Sequence, residues 1–102
     1  MLSTIPFDLS KIKKTDLDQE ILRTAIIAEL DAINLYEQLA SMTTSQDLKI
    51  ILLDVAKEEK THVGEFQDLL LKLDKEQVKE LEAGKEEVAE ELAKAKKKAK
   101  KK

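Results

Sequence analysis

In two stretches of this chain the large side chains recur in alternating steps of four and three residues. Each stretch is interrupted by an ionisable group at a position the pattern reserves for the core. The first runs Leu22, Ile26, Glu29, Ile33, Tyr36, Ala40, and the second Leu48, Leu52, Val55, Glu59, His62, Phe66, Leu69, Leu73. Such spacing is the apolar stripe of packed α-helices. Two glycines, one proline and three aromatics among 102 residues leave too few turn formers and rings for a sandwich or barrel. The length allows one small domain, or a piece that needs a partner.

Punctuation divides the chain. Residues 1–14 read as an irregular N-terminal arm, with Pro6 fixing an extended start. Thr15 or Asp16 can cap a first helix running to about Ser41. Met42, Thr43 and Thr44 make a short connection. Ser45 can cap a second helix to about Leu73, with Gln46 and Asp47 suiting its first turn. So short a connection joins antiparallel neighbours, so residues 15–73 are expected to form a helical hairpin. Asp74 followed by Gln77 resembles a capping box and starts a third helix near Lys75, within a C-terminal segment 74–102. Gly84 weakens that helix by roughly 1 kcal/mol relative to alanine. Large apolar side chains are few after Glu86, so a shorter helix is expected, its end mobile or dependent on a partner.

Charge is segregated. Residues 1–91 hold all 21 acidic residues against 11 basic ones, a net −10, and the last eleven hold seven lysines. An acidic body attracts cations. The lysine run lacks arginine and aromatics, so bidentate phosphate contacts and base stacking are missing, and a solvated helix end or linker is the simpler reading. Neither nucleic acid nor a membrane is expected as a partner. The chain has no cysteine, which excludes disulfides, thiolate metal sites and a cysteine nucleophile. No apolar run approaches the ~18 residues of a membrane span, and the first ten residues lack a secretory pattern. A soluble, intracellular all-α protein is expected.

The ionisable interruptions carry the chemistry. A buried ionised carboxylate costs several kcal/mol unless something compensates it. Singly, His62 would read as a satisfied polar residue, Glu29 as a helix-flank residue and Tyr36 as a packing ring. Jointly, Glu29, Glu59 and His62 call for a shared explanation, and a metal ion supplies one. Glutamate oxygens and imidazole nitrogen suit iron, manganese and zinc. Glu59 and His62 form Glu-x-x-His, a spacing that sets both side chains on one helix face. In four-helix di-metal carboxylate bundles, two helices give one glutamate each and two give Glu-x-x-His. This chain has half of that ligand set and half of that bundle. Two copies paired about a two-fold axis complete both, with four glutamates and two histidines across an isologous interface. Glu58 and Glu65 lie nearby on the second helix and are secondary metal-ligand candidates; Glu65 could ligate as an alternative or hold a ligand in place by hydrogen bonding, and a solvated face is the simpler reading for both.

Residues 26–71 resemble the encapsulated ferritin family, half-length relatives of ferritins and rubrerythrins. The resemblance is carried by Ala28-Glu29-Leu30-Asp31-Ala32-Ile33-Asn34-Leu35-Tyr36-Glu37 and by Ala56-Lys57-Glu58-Glu59-Lys60-Thr61-His62-Val63-Gly64-Glu65-Phe66. It implies an antiparallel hairpin plus a third helix, dimerising into a ferritin-like four-helix bundle. It further implies a ferroxidase in which Glu29, Glu59 and His62 hold two irons per dimer interface, with Tyr36 beside them. Asp31 matches an acidic position associated with metal uptake. Ala28 and Leu35 depart from the family member compared, which has glutamate and tryptophan there, so the uptake route is left open. The family implies a homodimer within a higher ring such as a decamer. It also implies a place in the cytoplasm, inside an encapsulin nanocompartment whose shell protein stores the mineral.

Two other functions fit the same residues less well. A rubrerythrin-like peroxidase would need a separate electron donor, because that class uses a Cys-x-x-Cys domain. A structural helical dimer would use the ionic groups to fix register.

Overall fold

A computed structural model describes residue 13 and residues 16–100. The rest of the N-terminal arm, with Pro6, and the Thr15 cap lie outside the described residues, as do the last two lysines. Three helices follow one another: α1 Leu17–Met42, α2 Gln46–Leu73 and α3 Lys75–Lys100. The chain is all-α.

The ends of the helices follow from local side chains. Asp16 occupies the N-cap position of α1, but its side chain makes no capping bond. Its carbonyl accepts from Glu20 N–H at 3.1 Å, and its own N–H is drawn into a turn on Lys13 O at 2.9 Å. The expected side-chain cap at Asp16 is therefore not made. Ser45 does cap α2, its Oγ accepting from Leu48 N–H at 3.2 Å. Asp74 N–H closes the last turn of α2 on Leu70 O at 2.8 Å, while Asp74 Oδ1 accepts from Gln77 N–H at 3.0 Å and starts α3. One aspartate ends one helix and begins the next. With its N–H already engaged, only the forward half of the capping box is used.

Three residues connect α1 to α2, which forces them antiparallel. Gln19 Nε2 accordingly reaches Leu73 O at 3.3 Å, joining the start of α1 to the end of α2. Small and branched residues make the seam: Ile33 and Ala40 from α1, Ala56 and Leu70 from α2. Alanine at 40 and 56 lets the two backbones approach closely.

On α2 the seam runs through Leu52, Ala56, Glu59, Val63, Phe66 and Leu70, all part-buried or buried. The expected stripe is thus split. Leu52, Glu59 and Phe66 belong to the hairpin seam, whereas Leu48, Leu69 and Leu73 of the same stripe are exposed. The two rows are adjacent on one helix, so both share the same three-four rhythm.

The single chain leaves much apolar surface open. Among the described residues four form the core, against fifteen exposed large hydrophobics. The radius of gyration is 18.6 Å, where a compact domain of this length has about 13 Å. Two extents of 49 and 47 Å against a third of 22 Å show that α3 runs off the hairpin rather than along it. It is held at its start, where Arg23 Nη2 donates to Asp74 Oδ2 at 2.8 Å. At 26 residues α3 is as long as α1, not shorter. Its charged and alanine residues are good helix formers and need no apolar face to stay helical. No helix among the described residues is long and apolar enough to cross a membrane.

Candidate metal centre

Glu29 projects from the middle of α1, and Glu59 and His62 project from the middle of α2. Antiparallel packing brings the two midpoints level. His62 Nδ1 lies 3.4 Å from Glu59 Oε2 and 3.6 Å from Glu29 Oε2. One ligand atom from each residue lies within 4.8 Å of the other two. An ion among them would have two oxygens and one nitrogen, a mixed set that suits iron, manganese or zinc.

Burial decides how the group reads. The two glutamate side chains are 19% exposed, and His62 is 43% exposed. Glu29 Oε2 is buried and has no hydrogen-bond partner. A buried carboxylate oxygen without a donor is costly, and two carboxylates beside each other add repulsion. A cation between them removes both penalties, so the residues present fit a bound metal. The open side of His62 faces the same surface as the exposed residues Leu48, Ile51, Leu69 and Leu73, which share its face by helical spacing. Three protein ligands leave positions for further ligands, and that open side is where they can come from.

Around this group, Lys60 Nζ reaches Glu37 Oε2 at 3.3 Å, an exposed pair between α2 and α1. Such a pair contributes little stability, but it keeps the ammonium of the residue next to Glu59 in sequence occupied with a carboxylate outside the group. Tyr36 is part-buried on the face of α1 that carries Glu29, two turns further on. Asp31 is part-buried, and Glu58 and Glu65 are exposed. Among the described histidine, aspartate and glutamate residues the close group consists of Glu29, Glu59 and His62; Asp31, Glu58 and Glu65 are not part of it.

Arg23 and Asp74 are structural residues that sequence reasoning missed as a pair. They stand 51 positions apart, and no local pattern links them.

Comparison with known proteins places this geometry among relatives. The family model described as rubrerythrin matches residues 20–101. The chain is 58% identical over 92 residues to a ferritin-like–encapsulin shell fusion protein of Pyrococcus furiosus, covering 88% of this chain and 27% of that protein. It is 45% identical over 67 residues to the encapsulin nanocompartment cargo protein EncC of Myxococcus xanthus, covering 66% of this chain and 51% of that one. The chain therefore spans about a quarter to a half of the length of these curated relatives. Its fold is similar to the crystal structure of the encapsulated ferritin domain from Pyrococcus furiosus, with a TM-score of 0.75 and 53% identity, covering 85% of this chain and 94% of that one.

Proposed function

The chain belongs to the rubrerythrin family of ferritin-like proteins, and from that premise we propose that it is a ferroxidase whose di-iron site forms between two copies. The observation that carries this reading is the Glu29 carboxylate. Its Oε2 is buried without a donor at the mouth of an apolar face that a second hairpin can cover. Each copy supplies Glu29, Glu59 and His62, and a two-fold axis brings two such sets together.

Iron(II) is the substrate, and iron supplies one-electron redox chemistry when bound. Two Fe(II) together give two electrons to one dioxygen, which takes up two protons and leaves as hydrogen peroxide; peroxide is the other acceptor. The protein residues do the rest. Glu29 and Glu59 are hard anionic ligands that favour the ferric product, and His62 tolerates both oxidation states. The leucine and isoleucine side chains around the open face exclude water once the second copy is in place, which strengthens the carboxylate–cation attraction.

The relatives' names bear on where this occurs. One is fused to an encapsulin shell and another is an encapsulin cargo. We place this chain likewise within an encapsulin nanocompartment in the cytoplasm, working in iron storage and detoxification, with the shell holding the mineral. A homodimer is the minimal unit, and a ring of dimers such as a decamer is the expected assembly.

The test is Fe(II) oxidation in air, followed by absorbance growth against buffer. The wild-type chain is expected to oxidise iron well above the buffer rate, while Glu59→Ala and His62→Ala variants fall to it. Wild-type oxidation no faster than buffer overturns the reading. Turnover with peroxide only, and only with an added electron donor, would instead favour the peroxidase.

A further inference from the structure

At one end of the hairpin the three helices meet around an open groove. Ile26 and Ile27 of α1, Leu70 and Leu71 of α2 and Leu81 of α3 line it, and its volume is about 360 Å³. Leu70 is 5% exposed, while Ile27 and Leu81 are 40% and 46% exposed. The described residues thus leave an apolar slot that a few large side chains can fill. A second apolar groove at the same end, lined by Ile21, Leu22, Leu69 and Leu73, belongs to the face that carries His62, which the second hairpin covers on the reading above.

The start of α1 lies beside the slot. Gln19 Nε2 reaches Leu73 O at 3.3 Å, and Arg23, which also lines the slot, pairs with Asp74 just before α3. Asp16 N–H donates to Lys13 O at 2.9 Å, a turn that redirects the chain ahead of α1. Twelve residues precede Lys13. Extended, they span about 40 Å, whereas Leu17 to Ile27 is only about 15 Å of helix. The slot is well within their reach.

Their sequence suits it. Ile5, Phe7 and Leu9 alternate with Pro6, Asp8 and Ser10. In an extended backbone that alternation sets three large apolar side chains on one side and leaves Asp8 and Ser10 on the other. Pro6 favours the extended form at Ile5 and has no N–H in need of a partner.

We propose that residues 5–9 dock along this groove of their own chain as an extended strap, with Ile5, Phe7 and Leu9 turned towards Ile27, Leu71 and Leu81. The other side of the strap faces water, so its backbone groups keep their hydrogen bonds and the apolar slot need supply none. The strap ties α1 and α2 to the first turns of α3, adding to the hold of the Arg23–Asp74 pair.

The docking goes beyond the iron reading and does not rest on it. The test uses the full chain without metal. Phe7 is replaced by p-benzoylphenylalanine, which keeps an aromatic ring and needs no fixed register. Under ultraviolet light its ketone takes a hydrogen from a nearby C–H and the two carbon radicals join, leaving an alcohol and one new C–C bond. These chains are refolded together with an excess of heavy-isotope chains that keep Phe7, so peptide masses tell the same chain from another copy. The main bond is expected between position 7 and unlabelled segments around Ile27, Leu71 or Leu81. Bonds chiefly to heavy chains would give the groove to a second copy, and bonds outside the groove, or none, would overturn the docking. Amide exchange gives a second reading. Phe7→Ser is expected to speed exchange across residues 76–82 several-fold, with residues 30–36 and 56–62 unchanged, and Phe7→Leu to keep most of the protection. Equal exchange in all three proteins would contradict the strap.

Discussion

His62 Nδ1 stands 3.6 Å from Glu29 Oε2, a contact between the two antiparallel helices at the midpoint of the hairpin. It joins a buried carboxylate oxygen that lacks a donor to a ring that is still open to the face where a second copy can dock. A group tuned only for the stability of a single chain would not leave that oxygen unpaired.

Replacing Glu29 therefore separates function from stability. Glu29→Leu removes a buried oxygen that has no donor, and relief of such a group is worth about 1–3 kcal/mol. The metal-free variant is expected to melt at or above the wild-type temperature in differential scanning calorimetry. Its iron oxidation is expected to be at the buffer rate. A large loss of metal-free stability would contradict the assignment.

The exposed row beside the site gives a second prediction, one that touches no ligand. Leu69 is 52% exposed in the single chain and lies on the face of α2 that carries His62. A charge at that position costs several kcal/mol once buried in an interface. Leu69→Lys is expected to shift the hairpin-paired dimer toward monomer in light scattering and to lower iron oxidation in parallel. Full activity in a monomeric Leu69→Lys protein would place the site within one chain.

Asp74 sets a pH dependence. Its carboxyl lies below the usual carboxylate range because Gln77 N–H donates to it and, next, because the Arg23 guanidinium sits against it. A depressed folded-state value means that its contribution is fully present above the ordinary aspartate value near 4 and is lost as pH falls through the lowered value. The junction of α2 and α3 should accordingly hold through mild acid and loosen only below that range. An NMR titration of the Asp74 carboxyl carbon checks this. Arg23→Gln is expected to raise the midpoint while leaving it low, since the Gln77 N–H remains.

Gly84 offers a gain. A Cβ built there meets nothing within 4 Å, so alanine fits without a clash. Gly84→Ala should stabilise α3 by up to about 1 kcal/mol, read as slower amide exchange along residues 80–90. Unchanged exchange would show that α3 is limited elsewhere.

Much of this was legible in the residues, for physical reasons that differ from place to place. Ser45 and Asp74 cap where short polar side chains precede a periodic run, because capping is local chemistry. The level placement of Glu29 with Glu59 and His62 follows from two helices of similar length and a three-residue turn. Periodicity alone did not separate the two rows of α2. Ala56 and Leu70 face α1 while Leu48 and Leu69 face outward, and both rows have the same spacing, so only packing tells them apart. Asp16 has the right side chain for a cap but a helical backbone, φ −101° and ψ −6°, that turns it away. The Arg23–Asp74 pair joins positions far apart in sequence and leaves no local trace. The length of α3 was underestimated because apolar content is a poor guide to a helix built from alanine, glutamate and lysine.

The central claim is that each chain owns half of a metal site. The measurement that tests it most directly is X-ray diffraction from crystals grown with Fe(II) without oxygen, with anomalous differences collected at the iron edge. Two iron peaks are expected astride a two-fold axis, bounded by Glu29, Glu59 and His62 of two copies. Iron held by the three residues of a single chain, with no second copy near it, or no peak between these side chains at all, would contradict the account.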